Sequence, residues 1–164
     1  MDQGHDTVYN EYDNEKFFEE YAKMSRSRDG LSAAGEWHQL KPLFPRLQGK
    51  KVLDLGCGYG WHCKYAAEHG AAYVLGTDIS QKMLETAAQC NGGPNIEYRQ
   101  AAMEDLQCSE ASFDCVLSSL AFHYISDFAA LVQRINRWLK PGGKAHLFGG
   151  TSCIYRLRLS RLVL

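Results

Sequence analysis

The chain has 164 residues, enough for one domain with a core of its own and too few for two. Apolar residues make up 45% and charged residues 23%, and 18 basic against 19 acidic side chains leave a net charge of −1. That balance offers no basic surface for tracking phosphates, so no nucleic-acid partner is expected.

Along the chain, Phe17, Phe18, Tyr21 and Met24 recur at helical spacing behind the capping candidates Asp13 and Asn14, which predicts an amphipathic helix over 14–25. Ser32 is expected to cap a second helix with Trp37 and Leu40 on its apolar face, ended or kinked by Pro42 and Pro45. The pattern then changes to short apolar strands near 51–55, 72–77, 95–99, 113–118 and 144–149, separated by helical segments near 61–69, 80–90 and 128–139. Phe128, Leu131, Val132, Ile135, Trp138 and Leu139 give the last helix its apolar stripe, with Asp127 as cap. Lys140-Pro141-Gly142-Gly143 then stops it. Strands alternating with crossover helices call for a parallel sheet covered on both faces.

No apolar run approaches membrane-spanning length, and the polar N-terminus lacks a signal-peptide core, so a cytoplasmic protein without a membrane partner is expected. The six cysteines include no C-x-x-C pair and are expected as reduced thiols. Cys57, His62 and Cys63 lack a second ligand pair, so no metal site is expected.

The chemistry-bearing segment is Lys51-Val52-Leu53-Asp54-Leu55-Gly56-Cys57-Gly58-Tyr59-Gly60, followed one strand–helix–strand unit later by Gly76-Thr77-Asp78. Glycines let backbone approach a ligand closely, and an acid at the end of the second strand can grip a ribose diol. That combination fits an adenosine-bearing cofactor. A dinucleotide fingerprint wants a small residue three positions after Gly58, where this chain has Trp61. Asp54 would also repel a phosphate, while it suits a ligand carrying an ammonium group. Spacing therefore favours S-adenosylmethionine over a dinucleotide. A glycine trio alone would make only a tight strand-to-helix turn, and Asp78 is what tips the reading.

The stretches VLDLGCGYG, GTDIS, AAMEDLQCSEASFDCVLSSLAFHYI and RWLKPGGKAHLF occur in the order and spacing of one superfamily. The chain resembles the class I S-adenosylmethionine-dependent methyltransferases, small-molecule type, over roughly residues 10 to 149. The resemblance implies an α/β, Rossmann-like three-layer αβα fold with a mostly parallel sheet in strand order 3-2-1-4-5. It divides a single domain into a helical N-terminal cap (1–48), a core (49–150) and an atypical tail (151–164).

By the same resemblance, Gly56, Cys57 and Gly58 would lie against the methionine part of the cofactor, with Asp54 near its ammonium through backbone or water. Asp78 would hold both ribose hydroxyls. Ile79 and Met83 would flank the adenine, and Met103 would offer its backbone amide to the ring. Ser118, Ser119 and Leu120 would end the fourth strand beside the transferable methyl, with His123 on the next turn. Tyr21 and Arg26, in the cap, would cover the methionine moiety and pair with its carboxylate. Ordinary helix packing competes for Tyr21, and plain solvation for Arg26.

Two departures stand out. Where many relatives carry an Asp for the adenine amino group, this chain has Ala102, leaving Glu104 as a substitute. The family also continues past the fifth strand with two more, and the tail is too short for both. A C-terminally truncated product is therefore expected. Its fifth strand would be an exposed apolar edge, to be covered by the tail or paired in a homodimer.

The expected activity is methyl transfer by in-line displacement to a small-molecule acceptor. His123 is the candidate base, against a reading in which it packs between Phe122 and Tyr124. The alternative is a truncated module that binds the cofactor without turnover. The fourth strand ends Leu117-Ser118-Ser119-Leu120, without the motifs of DNA-methylating relatives.

Overall fold

The computed structural model describes residues 10–122 and 125–149, and the backbone of 154–157. At its centre is a sheet of β1 (Lys51–Leu55), β2 (Tyr73–Asp78), β3 (Ile96–Gln100), β4 (Phe113–Ser119), β5 (Leu139–Phe148) and β6 (Ile154–Leu157), in the order β3-β2-β1-β4-β5-β6. The first five strands are mutually parallel and β6 runs antiparallel to β5. Side chains alternate across β1: Leu53 and Leu55 pack with Leu131, Ile135 and Trp138, while Val52 packs with Cys63, Ala66 and Leu84 on the opposite face. Both faces are thus covered, which is why the central strands read as unbroken apolar runs.

The crossover helices are α4 (Trp61–Glu68), α5 (Gln81–Asn91) and α6 (Phe128–Trp138). Ser80 caps α5, its hydroxyl accepting from the Met83 amide at 3.2 Å. Asp127 caps α6 by accepting from the Ala130 amide at 2.9 Å. The expected strand at 144–149 is longer than predicted. β5 begins at Leu139, directly after α6, and its pairing with β4 jumps from Phe113–Leu139 to Cys115–Lys144. Pro141 and Gly142 (φ 80°) therefore loop out within the strand, absorbing extra residues while pairing continues on both sides.

Of the two fates expected for the β5 edge, the tail's cover is the one seen: residues 154–157 pair with Phe148 back to Ala145. With that pairing, the argument for a homodimer through a bare β5 edge falls.

The N-terminal cap is more broken than its periodicity predicts. The first helix is split: α1 (Glu15–Lys23) ends where Met24 turns extended (φ −63°, ψ 140°), and α2 (Ser25–Arg28) follows. Of the two capping candidates, Asn14 caps α1 by accepting from the Phe17 amide. Ser32 caps nothing; it lies inside a 3-10 turn, Leu31–Ala33, and donates to the Asp29 carbonyl. The helix carrying Trp37 and Leu40 shrinks to one turn, α3 (Trp37–Leu40), because Pro42 draws the chain into a 3-10 turn at Lys41–Leu43. Among the described residues no helix is long and apolar enough to cross a membrane, and no group of His, Cys, Asp and Glu could hold a metal ion.

Candidate cofactor site

A cavity of about 580 Å³ opens where β1, β2 and β4 end, beside the point where the chain reverses from building outward through β2 and β3 to building through β4 and β5. Its walls come from four loops and the cap. The turn after β1 gives Gly56 and Gly58; the end of β2 gives Asp78 and Ile79; the segment after β3 gives Met103 and Glu104; the end of β4 gives Ser119 and Leu120. Met83 enters from the first turn of α5, and Tyr21 and Arg26 from the cap.

Asp78 is the best-oriented group. One carboxylate oxygen accepts from the Gly58 amide and the other from the Ser80 amide, each at 2.9 Å. Burial raises its pKa, opposed by those amide hydrogen bonds, with Asp13 adding a further push upward. Ser119 supplies a second polar point: its hydroxyl is buried and has no hydrogen-bond partner among the described residues. An oriented carboxylate and an unpartnered hydroxyl in one apolar-walled cavity fit a polar, ribose-bearing ligand.

The two glycines do different things. Both have left-handed backbone (φ 70° and 53°). A Cβ on Gly56 would stand 2.3 Å from Ala121 Cβ and 2.8 Å from Met103 Cε, so this glycine admits the β4 and β3 loops. A Cβ on Gly58 would meet only the Tyr21 hydroxyl, at 3.8 Å, leaving that backbone open to the cavity.

Three of the residues singled out in the sequence lie behind the wall. Asp54 is buried, accepts from Cys63 Sγ at 3.5 Å, and has its pKa pushed up to about 7 by burial, against the Cys63 hydrogen bond and with help from Asp78. Cys57 turns its thiol into the core, while its amide donates to the Thr77 carbonyl and ties the glycine turn to β2. Ser118 donates its hydroxyl to the Leu55 carbonyl at 3.0 Å, beneath the floor. His123 lies outside the described residues.

On the cap side, Arg26 lines the cavity while its guanidinium pairs with Glu36. Trp61, which excluded the dinucleotide fingerprint, donates its indole N–H to the Ser27 carbonyl at 3.2 Å and so pins α2 to α4. Tyr21 stacks edge-on against Tyr12 and Tyr59, and burial raises its phenol pKa, with Arg26 opposing. Asn10, Glu11 and Tyr12 also line the cavity, and sequence reasoning missed them. They are brought there by Asp13, whose carboxylate accepts from Ser80 Oγ and Asn10 Nδ2, both at 2.6 Å. No local pattern in this polar stretch announces so distant a contact. Ala102 lines the cavity as well, and so do Ala101, Ala121 and Ile125, which were equally silent in the sequence.

Known proteins resemble this chain in sequence and fold. Residues 53–147 match the family described as methyltransferase domain. The chain is 37% identical over 139 residues to the ubiquinone biosynthesis O-methyltransferase of Neisseria meningitidis serogroup C, covering 76% of this chain and 58% of that protein. An S-adenosylmethionine-dependent methyltransferase from Mesorhizobium loti superposes with a TM-score of 0.70 at 43% identity, covering 72% of this chain and 55% of the other. Phosphoethanolamine N-methyltransferase 1 of Haemonchus contortus, solved with phosphoethanolamine and S-adenosylhomocysteine, gives 0.71 at 29% identity over 93% of this chain and 35% of its own. The chain belongs to the methyltransferase-domain family, within the class I S-adenosylmethionine-dependent methyltransferases. It spans about half the length of the curated relatives it matches.

Proposed function

We propose that the chain binds S-adenosylmethionine in this cavity and transfers its methyl group to a small-molecule acceptor. The observation that carries the reading is Asp78, a carboxylate held at both oxygens by backbone amides and facing a cavity beside the open Gly58 backbone. Asp78 accepts the two ribose hydroxyls, a task its geometry prepares in advance. Ile79 and Met83 flank the adenine, the Met103 amide meets the ring, and Glu104 takes the amino group in place of the missing acid at Ala102. Ser119 hydrogen-bonds the ligand near the methionine part, and Arg26 pairs with the carboxylate there. Asp54, Cys57 and Ser118 act from behind, by holding the turn that presents Gly56 and Gly58.

When bound, the cofactor supplies an electrophilic methyl on a sulfonium. What the protein contributes is chiefly position, since aligning donor and acceptor removes up to roughly 7–11 kcal/mol of barrier. For an acceptor that must lose a proton, His123 serves as the base. The small-molecule assignment draws on the ubiquinone and phosphoethanolamine named for the relatives, and on a net charge of −1 that shows no basic excess.

Calorimetric titration with S-adenosylhomocysteine, with NAD as control, tests the cofactor site. Micromolar binding of the first, about −8 kcal/mol, is the expected result. A folded sample that binds neither ligand refutes the reading. Turnover across a panel of hydroxyl and amine acceptors then separates a working transferase from a module that only binds.

A further inference from the structure

The cavity wall formed by Met103 and Glu104 is part of a short loop with no strand or long helix of its own. Residues 102–106 make a single helical turn, in which the amides of Asp105 and Leu106 both donate to the Ala102 carbonyl, at 3.1 and 3.0 Å. A turn that ends so soon leaves its later carbonyls without intrahelical donors. One side chain from a distant element gathers them. Arg134 Nη1 donates to the Met103 carbonyl at 3.0 Å and to the Glu104 carbonyl, and Nη2 donates to the Leu106 carbonyl.

Arg134 is itself held in place. It sits on α6, whose Leu131, Ile135 and Trp138 are buried in the core, and its guanidinium lies 5.1 Å from the Trp138 ring centroid. Leu106, the last of the three acceptors, is buried in the same cluster as Leu131 and Ile135. The turn is therefore fastened to α6 by a planar fork on one side and an apolar plug on the other. Arg134 does not line the cavity; two of the three residues whose carbonyls it holds, Met103 and Glu104, do.

We infer that Arg134 is a positioning residue for cofactor recognition: by clamping three consecutive-turn carbonyls it fixes the wall that reads the adenine base. The inference rests on the proposed S-adenosylmethionine site. A guanidinium suits the task because its donors are splayed in a fixed plane, whereas an ammonium is a point charge with no such fork. With the clamp gone, water can satisfy the carbonyls, but Met103 and Glu104 lose their fixed distance from Asp78 and the base.

The test compares S-adenosylhomocysteine with S-inosylhomocysteine, which presents a carbonyl where adenine presents an amino group. Both are titrated calorimetrically into the unmodified chain, R134M and R134K, with thermal midpoints recorded alongside. The unmodified chain should prefer the adenine ligand, because the Glu104 carboxylate accepts from the amino group and repels the carbonyl. R134M should weaken S-adenosylhomocysteine about tenfold while changing S-inosylhomocysteine much less, so the preference collapses. R134K should fall between the two, and it carries the test if R134M does not fold. Equal loss for both ligands, or unchanged binding of both, would mean that Arg134 only stabilises the fold and would overturn the inference. An unmodified chain that binds neither ligand would instead remove the proposed cofactor site, and this inference with it.

Discussion

The two sides of the cavity are built by different means. On the sheet side, the glycine turn is tied to β2 through the backbone itself, the Cys57 amide donating to the Thr77 carbonyl at the ends of buried parallel strands. On the cap side, Tyr21, Arg26 and the residues around Tyr12 are brought in by side chains: Trp61 to Ser27, Arg26 to Glu36, and Asp13 to Ser80. Backbone geometry at a strand end survives most side-chain changes. A side-chain tie is lost with one substitution, so the cap is the half expected to open first.

Asp78→Ala makes the hardest test of the sheet side. Losing two charge-assisted contacts to the ribose should weaken S-adenosylhomocysteine by at least about a hundredfold, with the fold retained. Near-unchanged affinity by calorimetry would remove Asp78 from the site.

The buried acid behind it bears on stability and pH. Asp54 has a folded pKa of about 7 against an ordinary value of 3.8. Between those values the folded state holds the proton that the unfolded state has released, so stability falls as pH rises from about 4 to 7 and then levels off. Asp54→Asn should flatten that slope and gain a few kcal/mol at pH 8 in denaturant titrations. A slope that persists in the variant would assign it to another group.

The two glycines separate steric from conformational cost within one turn. Gly56→Ala should destabilise by about 3 kcal/mol, because strain at positive φ adds to the clash with Ala121. Gly58→Ala carries the backbone strain alone and should cost about 1 kcal/mol. Equal costs would mean that the Ala121 loop yields freely. An equally small effect belongs to the cap. Asp13→Ala removes the acceptor for Ser80 Oγ and should cost about 1 kcal/mol. Its sharper signature is faster amide exchange over 10–23 with the sheet unchanged, and equal exchange in both proteins would show that this tie does not hold the cap.

The same division explains what could be read from the chain. Alternation of apolar runs with helical segments located β1 to β4 and α4 to α6, and Asp127 was legible as a cap because it sits next to the turn it caps. β5 was placed but not its start, because Pro141 and Gly142 signal an interruption and only pairing with β4 shows that the strand resumes. Of the residues named for the site, Asp78, Gly58, Met103 and Glu104 line the cavity, each at the end of its strand or within four residues after it. For Asp54, position in the run does not disclose which way the side chain points. The pleat turns it toward Cys63.

By itself the sequence determined the strand–helix alternation, the glycine turn, the acid that closes β2 and the family these features share. Those are local properties, written within a few residues of where they act. Tertiary structure alone decided that the tail pairs with β5, that Gly56 makes room for Ala121, that Asp13 latches the cap to α5 and that Arg134 grips the turn after β3. Each of these joins residues that are far apart in the chain, and no periodicity or spacing encodes such a contact before the chain has folded.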